Sequence, residues 1–206
     1  MIKVKICGIT NLNDALDACS LGADALGFVF VKDSPRYINP ADAGEIIKKL
    51  PAFVTSVGLF VNASIDEVKK SIMRSGVDIL QFHGDESEEF CLQFNRRYIK
   101  AFQVKSHFNL VECCNNYNSA AALLLDAFSD SARGGTGKIF DWNLIPQDSL
   151  KPLIIAGGLN NENISLLINQ HQPYAVDVSG GVEITKGKKD FKKMKEFILG
   201  VKHASI

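Results

Sequence analysis

Eight short apolar runs alternate with eight helix-patterned stretches, and this constrains the chain more than any other feature. The runs extend from Lys3 to Cys7, Ala25 to Val31, Thr55 to Val61, Asp78 to His83, Tyr98 to Val104, Ala120 to Asp126, Leu153 to Ala156 and Ala175 to Val178. Between them the sequence predicts helices from Asn11 to Leu21, Pro40 to Leu50, Ser64 to Arg74, Asp85 to Asn95 and His107 to Asn115. A short helix is expected near Phe140 to Leu144, another between the last two runs, and an amphipathic one from Lys188 to Lys202. A repeat of roughly 25 residues is the spacing of βα units. The runs are apolar nearly throughout rather than alternating, as strands are when helices cover a parallel sheet. Eight units close a barrel better than they fill an open sheet. The expectation is an α/β fold: residues 1–206 as a single-domain (β/α)8 barrel, with a doubly wound open sheet as the alternative.

Composition narrows the partners. Lys+Arg and Asp+Glu both number 23, so the formal net charge is +0. That argues against nucleic acid and against a membrane surface. Apolar runs fall short of a membrane span, and no signal peptide opens the sequence. The five cysteines are scattered without CxxC spacing, which predicts neither a disulfide frame nor a zinc site. A reducing, cytoplasmic setting follows. Neither metal-ligand spacing nor a dinucleotide fingerprint is present. Oligomeric state is not written in the sequence; a monomer is the expectation over a homodimer.

The segment from Pro152 to Gly181 carries the first functional signal. Two successive apolar runs each stop at glycines, Gly157-Gly158 and Ser179-Gly180-Gly181. Glycines there let backbone N–H groups approach an anion, and a following helix N-terminus adds partial positive charge. The loops after strands 7 and 8 are a frequent phosphate site of barrels. Gly157, Gly158, Ser179, Gly180 and Gly181 are therefore the candidate phosphate cradle, the alternative being two tight βα turns.

Barrel chemistry sits at the C-terminal strand ends. Strand alternation turns Lys5 and Cys7 inward and Val4 and Ile6 outward. Lys5 is positioned to stabilise a Cys7 thiolate and lower its pKa from about 8.5. Asp126 closes an all-leucine run, where an apolar setting would raise its pKa and suit it to give a proton. Alternatively it caps the next turn. Gln81 and His83 share a face, with His83 in a supporting role. Arg36, in the loop after strand 2, offers a planar fork for a carboxylate. Gly134 to Gly137 could form a lid or a second backbone contact to phosphate, with Gly135 on the substrate side. The residues alone point to an enzyme acting on a small phosphorylated substrate.

Several segments resemble the phosphoribosylanthranilate isomerase family: KICGIT at Lys5–Thr10, GFVF with DSPRY within Gly27–Tyr37, VGLFVN at Val57–Asn62 and LQFHGDE at Leu80–Glu86. LLLDA at Leu123–Ala127, the GGTG and IFDW pieces within Gly134–Trp142, AGGL at Ala156–Leu159 and DVSGGVE at Asp177–Glu183 follow in the family's order. One departure is Gly180, where the family pattern has a second serine; a backbone contact survives there, a hydroxyl contact does not. The resemblance implies an Amadori rearrangement in tryptophan biosynthesis that needs no cofactor or metal. Cys7 would be general base and Asp126 general acid. Arg36 would hold the anthranilate carboxylate, Lys5 would tune Cys7, and His83 and Gly135 would line the substrate. The alternatives are another phosphosugar barrel of the tryptophan or histidine pathway, and a catalytically silent barrel that binds a phosphometabolite.

Overall fold

The computed structural model describes residues 1–104, 109–127, 141–145 and 149–204. Eight parallel strands pair in sequence order and close on themselves: β1 (Lys3–Cys7), β2 (Ala25–Val29), β3 (Thr55–Phe60), β4 (Ile79–Phe82), β5 (Tyr98–Val104), β6 (Ala122–Ala127), β7 (Leu153–Ile155) and β8 (Ala175–Val178). The barrel is the expected one, and β1 pairs with β8 to shut it.

Helices follow the strands: α1 (Leu12–Leu21), α2 (Pro40–Ile47), α3 (Ile65–Ser75), α4 (Glu88–Leu92), α5 (Leu110–Asn116), α6 (Ile164–His171) and α7 (Phe191–Ala204). Local chemistry sets several starts. Asn11 caps α1, Asn39 caps α2 ahead of Pro40, and Ser64 with Glu67 forms a capping box on α3. α4 begins later than expected because Ser87, not Asp85, accepts a backbone N–H of its first turn. After β6 a 3-10 turn spans Trp142–Leu144 with Asp141 as its cap. Among the described residues no helix is long and apolar enough to cross a membrane.

The start of the last helix differs most from expectation. Lys188 and Lys189 do not belong to it. They form β10 (Lys188–Lys189), antiparallel to β9 (Glu183–Thr185). Helix α7 begins at Phe191, where Asp190 accepts the Lys193 N–H. A buried partner for Lys189 overrides the helical pattern, as described below.

Strand alternation divides the core in two. Val4, Ile6, Phe28, Phe82, Leu123, Leu125 and Val176 face the helix layer. Val57, Ile99, Ala101, Ala122, Leu124, Ile154, Ala156 and Ala175 fill the barrel interior. Alanines alternate there with branched Val, Ile and Leu, which together fill the narrow lumen of an eight-stranded barrel. Deleting a buried leucine such as Leu124 would cost about 2–5 kcal/mol. The same alternation turns Lys5, Cys7, Gln81, His83, Asp126 and Asp177 toward the lumen or its mouth.

Candidate active site

One cleft opens at the C-terminal ends of the strands, with a volume of about 1080 Å³. Cys7, Arg36, His83, Asp126, Gly157, Gly158, Ser179, Gly180 and Gly181 all line it. Lys5 lies beneath them, buried. The structure thus brings together the sequence candidates except Gly135, which lies outside the described residues.

Cys7 ends β1 next to Gly27 of β2, its direct partner in register. The missing side chain of Gly27 makes the room: a Cβ there would stand 2.7 Å from Cys7 Sγ and 3.1 Å from Lys5 Nζ. Lys5 does not act on the thiol alone. Its Nζ donates to Asp177 Oδ2 at 2.9 Å, across the β1–β8 seam where the two residues are register partners. Burial therefore pushes the Cys7 thiol up, and the attraction of Lys5 does not overcome it; Asp177 pushes in the same upward direction. Lys5 does pull the thiol down as expected, but burial is the larger effect and the net shift is upward. For Lys5 itself burial pulls down, but Asp177 and the thiol outweigh it and the ammonium is held above its ordinary value.

Asp126 stands near the end of β6. Its Oδ1 accepts the N–H of Ala127 at 2.8 Å, and its Oδ2 lies 3.2 Å from His83 Nε2. That second approach is close enough for attraction but not aligned as a hydrogen bond. Gln81 Nε2 is 3.1 Å from His83 Nδ1 and holds the ring from behind. Gly157, at φ +82, is needed on two counts: its backbone is left-handed, and a Cβ would come within 2.7 Å of Asp126 Oδ1.

The glycine ends of β7 and β8 lie between Asp126 of β6 and Cys7 of β1. Gly180–Val182 forms a 3-10 turn. The N–H groups that open such a turn have no carbonyl ahead of them to pair with, so Gly180 and Gly181 present free donors. The hydroxyl of Ser179 points elsewhere and donates to the Cys7 carbonyl at 3.0 Å. Ser179 is left with its backbone for any ligand. Helix α6 starts only at Ile164, behind an Asn160–Asn163 turn, so its N-terminus is farther from the glycines than the sequence suggested.

Arg36 packs against Gly8, just past the end of β1. Gly8 makes this possible, because a Cβ there would sit 2.5 Å from Arg36 Cδ. Its Nε and Nη2 donate to the two oxygens of Glu183, both at 2.8 Å. Hydrogen bonding to Glu183 raises the guanidinium further above its already high value. Burial pushes Glu183 up, but Arg36 and Lys189 more than offset it and hold the carboxyl below the usual range.

Three buried charged residues in contact with the Cys7 and Arg36 side of the cleft escaped the sequence reading: Asp177, Glu183 and Lys189. Asp177 had a signal, a carboxylate inside an apolar strand. Glu183 closes a motif already singled out, but its partner lies far away in sequence at Arg36. Lys189 was hidden in what looked like a helix. Among the described residues no three His, Cys, Asp or Glu side chains gather as a metal site.

Comparison with known proteins bears on this cleft. A family model for N-(5'-phosphoribosyl)anthranilate (PRA) isomerase matches residues 4–199. The N-(5'-phosphoribosyl)anthranilate isomerase of Nitrosospira multiformis is 50% identical over 200 residues, 97% of this chain and 96% of that one. That of Pseudomonas fluorescens is 51% identical over 201 residues, covering 98% of each. Phosphoribosyl anthranilate isomerase from Thermotoga maritima superposes with a TM-score of 0.90 at 41% identity, over 98% of this chain and all of that one, 100%. The family match takes in every residue that lines the cleft and all the barrel strands but the first residue of β1, so the chain belongs to the N-(5'-phosphoribosyl)anthranilate isomerase family.

Proposed function

We propose that this chain converts N-(5-phosphoribosyl)anthranilate to 1-(2-carboxyphenylamino)-1-deoxyribulose 5-phosphate by general acid–base catalysis. It would serve tryptophan biosynthesis. The observation that carries the reading is that Cys7 and Asp126 open on one cleft, with the glycine ends of β7 and β8 between their strands and Arg36 on the same lining. A solved isomerase bound to reduced 1-(o-carboxyphenylamino)-1-deoxyribulose 5-phosphate, 40% identical with a TM-score of 0.87, supports it.

The substrate has two anionic ends. Gly157, Gly158, Gly180 and Gly181 take the phosphate on backbone N–H groups, with Ser179 contributing its main chain. Arg36 takes the anthranilate carboxylate. The sugar then lies between Cys7 and Asp126. Asp126, carrying a proton, gives it to the ring oxygen as the C1–O bond breaks, leaving an iminium at C1 and a carboxylate on Asp126. The iminium acidifies the C2 hydrogen. Cys7 as thiolate removes that proton, and the C–H electrons form the C1–C2 double bond of an enolamine. Loss of the enol O–H proton and protonation at C1 give the ketone.

Burial holds the Cys7 thiol up in the free protein. A cationic iminium beside it supplies the missing positive charge and favours the thiolate when it is needed. Lys5 adds to this but is shared with Asp177. His83 and Gln81 hold Asp126 in place. Gly135 is read from the sequence as a further substrate contact.

The test is direct. Purified protein given N-(5-phosphoribosyl)anthranilate should abolish the fluorescence of the anthranilate adduct with a turnover of about 1–10³ per second. No loss of fluorescence above the spontaneous rate would refute the proposal and favour a silent binding barrel.

A further inference from the structure

Glu183 takes no part in these proton transfers, yet it is among the most connected side chains of the cleft. It is buried, and both its oxygens are spent on one edge of Arg36 at 2.8 Å. Lys189 Nζ donates to its Oε1 at 2.9 Å and to the Ser179 carbonyl at 3.2 Å. The Gly187 N–H approaches the same Oε1 at 3.3 Å. Lys193 Nζ donates to the Glu183 carbonyl at 2.9 Å, and the Lys189 N–H donates to Asp14 at 2.8 Å, which anchors the β9–β10 hairpin to α1. Glu183 is therefore fixed by cations and main chain from behind and offers a rigid carboxylate to Arg36.

The geometry of a guanidinium gives this consequence. Its N–H donors lie in one plane and form separate forks along its edges. Glu183 occupies the Nε/Nη2 edge. The Nη1/Nη2 edge remains for a second planar anion. An arginine without Glu183 would sample many rotamers and present either edge. Lys189 also touches Ser179, which leads into the 3-10 turn at the glycine-lined end. One lysine thus braces the carboxylate that holds Arg36 and touches the adjoining loop that begins the glycine-lined anion site.

We propose that Glu183, braced by Lys189, is a positioning residue that aims the free edge of Arg36 at the substrate carboxylate and so sets specificity for a carboxylated substrate. The proposal rests on the reading of Arg36 as the carboxylate partner.

The experiment compares wild type, Arg36→Met, Glu183→Gln and the double variant, with kcat and KM for N-(5-phosphoribosyl)anthranilate and inhibition by inorganic phosphate. Glu183→Gln should raise KM about tenfold with kcat changed less than about threefold, because only binding geometry is lost. Phosphate inhibition should stay the same. In the Arg36→Met background, Glu183→Gln should add almost nothing, since its effect passes through Arg36. Glu183→Asp keeps the charge beside Lys189 but shortens the reach; it should raise KM in the same direction and serves if the glutamine variant folds poorly. Additive effects of Arg36→Met and Glu183→Gln, or an equal weakening of phosphate inhibition, would overturn the proposal and make Glu183 a general brace. A raised KM in Arg36→Met with no change in Glu183→Gln or Glu183→Asp would overturn it while leaving Arg36 as carboxylate partner. An unchanged KM in Arg36→Met would overturn both.

Discussion

The two rims of the cleft are built from different materials. On the β1–β8 side, Cys7 stands over a buried ion pair, Lys5–Asp177 at 2.9 Å. On the β4–β6 side, Asp126 meets an imidazole, an amide behind it and one backbone N–H. A base must become charged to work, and full charges nearby govern that equilibrium steeply. An acid that must stay aligned needs orientation more than charge. With the proposed roles, the Cys7 rim is electrostatically sensitive and the Asp126 rim is geometrically sensitive.

Lys5→Met should show the largest effect among the supporting residues. It removes the cation nearest Cys7 and leaves Asp177 buried without its partner. Stability should fall by about 3–5 kcal/mol in urea unfolding. The kcat/KM should fall on the order of tenfold to a hundredfold, with the rate recovering at higher pH. A variant with unchanged kcat/KM and an unchanged pH profile would show that Lys5 only packs.

The pH profile of the wild type comes next. Because the Cys7 thiol is held up by burial, the protein at neutral pH carries it mostly protonated. The active thiolate fraction then grows close to tenfold per pH unit below that raised value. The kcat/KM should therefore climb with pH from 7 toward 9. A profile flat across that range would mean that Lys5 outweighs burial and the thiol is already ionised at neutral pH.

The smallest effect belongs to the acid rim. His83→Leu keeps the bulk and removes the contact to Asp126 Oδ2. A loss of about threefold to tenfold in kcat is expected, with little shift of the alkaline rise, since one orienting contact is worth roughly 1 kcal/mol. A larger loss than that of Lys5→Met would reverse the contrast between the rims.

The barrel was legible because its signal is repetitive: eight apolar runs at a steady spacing leave few other closures. Cys7, Asp126 and the glycine ends of β7 and β8 were legible because strand ends map to the mouth by alternation. Asp177 was missed as a partner of Lys5 because their pairing crosses the barrel seam, between the first strand and the last. The Arg36–Glu183 bond was invisible for the same reason, since nothing local links residues so far apart. The β9–β10 hairpin was missed because Lys188 and Lys189 continue a helix-like run of lysines, and only the buried ion pair with Glu183 pulls Lys189 out of it. The expected shift of Cys7 had the wrong sign because burial and Asp177 cannot be read from a lysine two residues away.

The most direct measurement is a single-turnover experiment with enzyme in excess over N-(5-phosphoribosyl)anthranilate, following adduct fluorescence in wild type, Cys7→Ala and Asp126→Asn. Both variants should still bind the substrate, and each should convert it at least about 10²–10⁴-fold more slowly, the range expected for loss of a general acid or base. Conversion by either variant within tenfold of wild type would contradict the division of labour between the two rims.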